Sequence, residues 1–120
     1  MGRDSPPPGT VDEEMMALQE EFTQLLRERE QRLANLLRTL GETEDAEGIL
    51  KELTAVVHKL SGSSAMYGYA ALGKIARECQ QRFHREGQRL TSDHEVLNRM
   101  MGGLLEALRE SIETGPETTL

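Results

Sequence analysis

The sequence predicts an all-α fold: an antiparallel four-helix bundle preceded by a disordered N-terminal lead-in. Three observations carry that expectation. Apolar residues recur in steps of three and four along four separate stretches, the spacing of a single buried helix face. No run alternates with period two for long enough to argue for a strand. Tryptophan is absent, and there are only two phenylalanines and two tyrosines, so the core must be assembled from Leu, Met, Val and Ile, the palette of a helical bundle. At 120 residues the chain accommodates one domain with one modest core.

The elements follow in order. Residues 1–10, MGRDSPPPGT, are polar and contain three consecutive prolines, which reads as a disordered lead-in. Thr10 with Glu13 has the spacing of a capping box. From there Met15, Leu18, Phe22, Leu25, Leu26, Leu33, Leu36, Leu37 and Leu40 mark one face of a long first helix. The charged triplet Glu28, Arg29, Glu30 interrupts this stripe and is the candidate position for a bend or break; with Arg27 and Arg32 it reads as a solvated face. Gly41 supplies a stop. In the acidic loop that follows, Thr43 is placed to cap a second helix, with Glu44 and Asp45 near its positive end. Ile49, Leu50, Leu53, Val56, Val57 and Leu60 form that helix's stripe, which is expected to run to about Met66. A third helix carries Leu72, Ile75, Ala76, Cys79 and Phe83 and is expected to stop at Gly87. Ser92 with Glu95 repeats the capping-box spacing. Leu97, Met101, Leu104, Leu108 and Ile112 then form a fourth stripe, closed by Gly115 and Pro116. The bundle thus spans residues 11–115, and residues 116–120 read as a frayed tail. Short connections between amphipathic helices make antiparallel packing the natural arrangement.

Charge and cysteine content narrow the function. The net charge is −7, which argues against a nucleic-acid partner, because a phosphate backbone demands a basic surface. It argues equally against an anionic membrane surface. No apolar run approaches the ~20 residues of a membrane span, and the N-terminus has no apolar signal core. One cysteine, Cys79, cannot form an internal disulfide, and a cytoplasmic location is expected. Cys79 lies at helical spacing from Ala76 and Phe83 and reads as core. The three histidines lack zinc-ligand spacing. His84 is read as a helix-end residue near backbone carbonyls, and His94 as a first-turn residue of the last helix. The six methionines read as bundle filler.

The chemistry concentrates in HKLSGSSAMYG, residues 58–68. On a wheel of about 100° per residue, Ile49, Leu53, Val56 and Leu60 cluster at roughly 160° to 220° from His58, so the histidine points away from the buried stripe. Its own face holds Lys51, Thr54, Ala55, Ser61, Gly62 and Ala65, which apart from Lys51 are small. Residues four apart are neighbours on a helix. A glycine at 62 therefore leaves space over the imidazole, at a cost of about 1 kcal/mol in helix propensity. A helical histidine is ordinarily a plain surface residue, and Gly62 alone is also compatible with close helix packing.

The stretch HKLSGSSAMYGYAALGKIARE resembles the signature of histidine-containing phosphotransfer (HPt) domains, of the bacterial type. His58, Leu60, Gly62, Ser63, Ser64, Gly68 and Leu72 fill the signature's slots in order, and Ala76 fits the small position that follows. With the four-helix pattern, the resemblance covers roughly residues 12–114. It implies that His58 is the phospho-accepting side chain. It implies that Gln80, on the next helix, orients the imidazole, its carbonyl accepting a hydrogen bond from one ring nitrogen. Many members carry lysine three residues after the histidine, where this chain has Ser61. Lys59, Lys51 and Ser61 are therefore the candidates to lie near the phosphoryl group, and Lys51, Thr54, Ala55, Gly62 and Ala65 are expected to face the docking partner.

The implied reaction is phosphoryl transfer between His58 and an aspartate on a receiver domain of a response regulator or hybrid histidine kinase. A neutral imidazole is a good nucleophile near neutral pH, and phosphoryl transfer is catalysed largely by positioning and charge neutralisation. The chain has no GxxxxGK[ST] loop, no glycine-rich lid and no acidic pair set to hold Mg²⁺. It is expected to bind no cofactor itself, the Mg²⁺ residing on the receiver, and to act as a monomeric phosphocarrier rather than an autonomous kinase. Two other readings compete. One is a helical module that binds a kinase or receiver without accepting phosphate. The other is a structural bundle or dimerising coil, which a first helix running outside the bundle would favour.

Overall fold

The computed structural model describes residues 11–117; the expected lead-in, the Thr10 cap and residues 118–120 of the tail lie outside the described residues. Four helices are present, α1 (Val11–Leu40), α2 (Ala46–Ser63), α3 (Ala70–Ser92) and α4 (His94–Thr114), with a 3₁₀ turn at Ala65–Tyr67 between α2 and α3. No strand occurs among the described residues. The helices pack as a closed square, α1 against α2 and α4, α3 against α2 and α4, with the α2–α3 contact the most extensive. Leu26, Leu33, Leu53, Val57, Leu72, Leu97, Leu104 and Leu108 fill the centre and are essentially sealed from solvent. This is the four-helix bundle that the aliphatic stripes predict.

The charged triplet does not break α1, which is continuous for 30 residues. The charges there reach neighbours: Arg109 of α4 donates to Glu30 at 3.2 Å, and Arg32 pairs with Glu52 of α2. At the other end, Met15 and Leu18 belong to the expected stripe but are 39% and 44% exposed. The reason is length. Thirty residues span about 45 Å and the 18 of α2 about 27 Å, so the first turns of α1 overhang, and burial begins with Gln19 and Phe22.

Four helix ends differ from expectation, each for a local reason. Asp45, not Thr43, caps α2: its carboxylate accepts from the Gly48 amide at 3.0 Å, while Thr43 Oγ1 accepts from the Asp45 amide at 3.1 Å and so positions the cap. α2 stops at Ser63 rather than Met66, and the chain tightens into the 3₁₀ turn. α3 does not stop at Gly87. It kinks at Glu86 (φ −127°, ψ 19°) and continues to Ser92, because Leu90 is buried and Arg82 and Arg89 both donate to Glu86 across the kink. Asp93 rather than Ser92 caps α4, accepting from the Val96 amide at 3.1 Å, while the Ser92 hydroxyl donates to the Gln88 carbonyl.

The turn after α2 is held from three sides. Gly68 adopts φ +94°, a left-handed conformation that glycine accepts without penalty. The Tyr69 amide donates to the Ser64 carbonyl at 2.8 Å, and the Tyr69 hydroxyl meets the Thr23 hydroxyl of α1 at 2.7 Å. Gln19 donates to the Tyr67 carbonyl at 3.0 Å, and Phe22 stacks on Tyr67 at 4.6 Å. From the C-terminus, the Glu117 amide donates to the Gly68 carbonyl at 2.7 Å, and its carboxylate accepts from the Ala71 amide at 3.0 Å, serving as a cap for α3. Gly73 lets α3 approach this turn: a Cβ there would lie 3.3 Å from the Ala65 nitrogen and 3.5 Å from the Ser64 Cβ. Ser64 is fully buried, so this position of the signature is one of packing.

Cys79 is buried, as its spacing predicts. Desolvation, aided by the Glu78 charge and offset in part by Arg82, raises its thiol from an ordinary value of 9.0 to about 11. Native Cys79 is therefore expected to resist alkylation at pH 8 and to react promptly once the chain is unfolded. The linkage has a definite sign. Unfolded chains lose this proton first, so the contribution to stability is complete below about 9 and is lost as pH rises through about 11. Denaturant titrations at pH 8 and pH 11, compared between the native chain and Cys79→Ala, measure it: the pH-dependent loss should be smaller in the variant.

Candidate functional site

α2 turns Ile49, Leu53, Val56, Val57 and Leu60 into the core and leaves His58 exposed. The face expected around it is present. Lys51, Ala55, Lys59, Gly62 and Ala65 are exposed, and Thr54 and Ser61 are half-buried. A side-chain carbon at Gly62 would meet no atom within 4 Å, so the glycine is not there for helix packing. The imidazole has open space on its C-terminal side.

Three of the predicted side chains come together. Gln80 reaches across from α3, and its amide nitrogen lies 2.6 Å from His58 Nδ1. Its Oε1 lies 2.7 Å from the Ser61 hydroxyl, which is also 3.0 Å from the His58 carbonyl oxygen one turn back on α2. His58 Nε2 has no hydrogen-bond partner among the described residues. The two ends of the amide have the same shape, so this contact alone does not separate the nitrogen from the carbonyl that the sequence reading expected. Ser61, expected beside a phosphoryl group, is engaged with Gln80 and the helix backbone.

The two lysines line different surface grooves. Lys59 leans towards α1, in a groove with Arg29, Arg32 and Glu52. Lys51 lies on the opposite flank, between α2 and the kinked end of α3, with Gly87 and Gln88. Thr54 donates to the Leu50 carbonyl at 2.7 Å, an internal helix bond.

An exposed histidine with one ring nitrogen held and the other free is a nucleophile or a proton carrier; geometry alone does not choose. The sequence model of the Hpt domain family matches residues 17–114. The chain belongs to the Hpt domain family. Neither the curated proteins nor the solved structures contain a match to it. Hpt domains are phosphotransfer modules of two-component phosphorelays, and they interact with receiver and kinase domains.

The surroundings of His58 hold residues that the sequence reading did not assemble. Arg77, Gln81, His84 and Arg85 share a surface recess with Gln80. His84 lies two residues before the kink at Glu86 and faces solvent beside Gln80. The signal was legible, since 77, 80, 81, 84 and 85 recur in steps of three and four along one helix face. α3 carries five basic side chains, Lys74, Arg77, Arg82, Arg85 and Arg89, against Glu78 and Glu86. In a chain of net charge −7, the helix that flanks His58 is the basic one. His94 opens α4, as expected. Among the described residues no group of three His, Cys, Asp or Glu side chains is placed to hold a metal ion, and no helix is long and apolar enough to cross a membrane.

Proposed function

We propose that this Hpt domain carries a phosphoryl group on His58, receiving it from and passing it to aspartates of receiver domains. The observation that carries the reading is the exposed imidazole, with Nδ1 beside Gln80, Nε2 without a partner among the described residues, and open space at Gly62. In the forward step the Nε2 lone pair attacks the phosphorus of an aspartyl phosphate in line. The N–P bond forms, the P–O bond to the aspartate breaks, and the carboxylate leaves with the electron pair. The ring proton stays on Nδ1, and the ring takes up positive charge. Transfer in the other direction is the reverse.

Such a step needs orientation and charge neutralisation more than covalent help. The rigid α2 and Gln80 supply the orientation. The receiver supplies Mg²⁺, and Lys59 or Lys51, on long flexible stems, can reach a phosphoryl oxygen once a partner is seated. The basic α3 is complementary to a receiver's acidic metal-binding pocket and favours a fast, salt-sensitive encounter. His58, Ser61 and Gln80 belong to one chain, so one copy suffices.

The test is to mix the purified chain with phosphorylated receiver domains and characterise any phosphate it gains. A phosphoramidate is acid-labile and stable in alkali, and peptide mapping should place it on the peptide containing His58. Phosphate that survives acid, or that maps elsewhere, overturns the proposal. Receiver binding without any phosphate uptake points instead to a docking module that accepts none.

A further inference from the structure

Three short contacts join His58, Gln80 and Ser61, and counting protons decides how they are polarised. Ser61 has one hydroxyl proton but faces two oxygens, the His58 carbonyl at 3.0 Å and Gln80 Oε1 at 2.7 Å. It can donate to only one of them; the other contact then sets two oxygen lone pairs against each other. The two ends of a carboxamide have the same shape, so the network and not the fit determines which end lies where. Exchanging them makes every contact a hydrogen bond. The Ser61 hydroxyl then donates to the His58 carbonyl. Its oxygen accepts from the Gln80 amide nitrogen, and the Gln80 carbonyl accepts from Nδ1–H of the ring.

We infer that Ser61 is a positioning residue: by accepting a hydrogen bond from Gln80 it fixes the direction of the amide, which holds the ring proton on Nδ1 and leaves the Nε2 lone pair free to take the phosphoryl group. In the opposite polarity the amide nitrogen donates to Nδ1, the ring proton moves to Nε2, and the nucleophilic lone pair is lost. The chain of command runs from the backbone of α2 through a serine hydroxyl to the amide of α3 and back to the ring on α2. Each partner sits on a packed helix, so the polarity is set before any receiver arrives. The inference rests on the phosphotransfer role proposed above for its catalytic consequence, but its structural content stands without that role.

The experiment follows the ring nitrogens by ¹⁵N NMR on the full chain, at a pH where the imidazole is neutral. The native protein is expected to show His58 with Nδ1 protonated and Nε2 bare. In Ser61→Ala the amide can turn either way, so the Nε2-protonated form should appear, and transfer from a phosphorylated receiver should slow by about three- to tenfold, the equivalent of one lost hydrogen bond. Ser61→Thr keeps a hydroxyl and should restore both. Gln80→Glu presents two acceptor oxygens whatever its rotation, so in that background Ser61→Ala should leave the tautomer unchanged. A native ring protonated mainly on Nε2, or a tautomer indifferent to Ser61→Ala in the Gln80 protein, overturns the inference. Because the spectra require no phosphate, the expected tautomer in a chain that never accepts phosphate on His58 would sink the proposed function and leave this hydrogen-bond relay standing.

Discussion

Replacing His58 by glutamine is expected to abolish phosphate uptake from a phosphorylated receiver while changing the stability of the bundle by no more than about 0.5 kcal/mol. His58 is exposed, and its side chain fills no part of the core. The one bond it loses is that to Gln80, and a glutamine amide at 58 can both donate to and accept from that partner, so no polar group is stranded. What it lacks is an imidazole lone pair. The two measurements are incorporation of acid-labile phosphate and a denaturant melt. A variant that melts normally and still takes up phosphate moves the chemistry to another residue. His84, which shares a surface recess with Gln80, is then the first to replace. A variant that fails to fold assigns His58 a structural role that its exposure does not show.

Gly62→Gln is expected to slow transfer about a hundredfold, the scale on which a reacting group displaced by an ångström loses rate, in a protein that is no less stable. The stability half follows from the vacant space: a Cβ at 62 meets no atom within 4 Å, and replacing a mid-helix glycine gains up to about 1 kcal/mol of propensity. The rate half follows from position, one turn from His58, where a long side chain lies across the path of an incoming acyl phosphate. Gly62→Ala is the control, since it gains most of the propensity and adds one methyl group, and its rate should stay close to native. Equal rates for the alanine and glutamine variants and the native chain would remove the argument that this glycine keeps an approach open. The contrast with Gly73 shows that the reasoning is specific to the site. A Cβ at 73 would press on the Ala65 backbone nitrogen at 3.3 Å, so there the missing side chain serves the contact between α3 and the turn.

The periodic stripes of Leu, Ile and Val were enough to place four helices, because burial of one face is what makes a short helix stable in a protein. Helix ends were less legible. Thr43 and Ser92 have good capping chemistry, but in both cases an aspartate one or two residues later, Asp45 or Asp93, reaches the free amides instead. Gly87 looks like a stop, yet Leu90 beyond it is held in the core and carries the helix on through a kink. Met15 and Leu18 keep the right spacing and remain exposed, since periodicity cannot report whether another helix extends far enough to cover them. The cap that Glu117 provides for α3 joins residues 46 apart and has no local signature at all.

The sequence by itself determined which imidazole stands clear of the core, because a helical wheel fixes the angle between His58 and the leucine stripe before any helix packs. It also determined that small residues surround that ring. Only the tertiary structure decided what holds it. Gln80 and Ser61 lie 19 residues apart on different helices, and whether a serine hydroxyl meets an amide depends on the distance and rotation between α2 and α3. Those are set by the whole core, with Gly73 of α3 packed against Ser64 and Ala65 at the end of α2. A helix's own period is local and legible in its residues; the register between two helices is a property of everything packed around them.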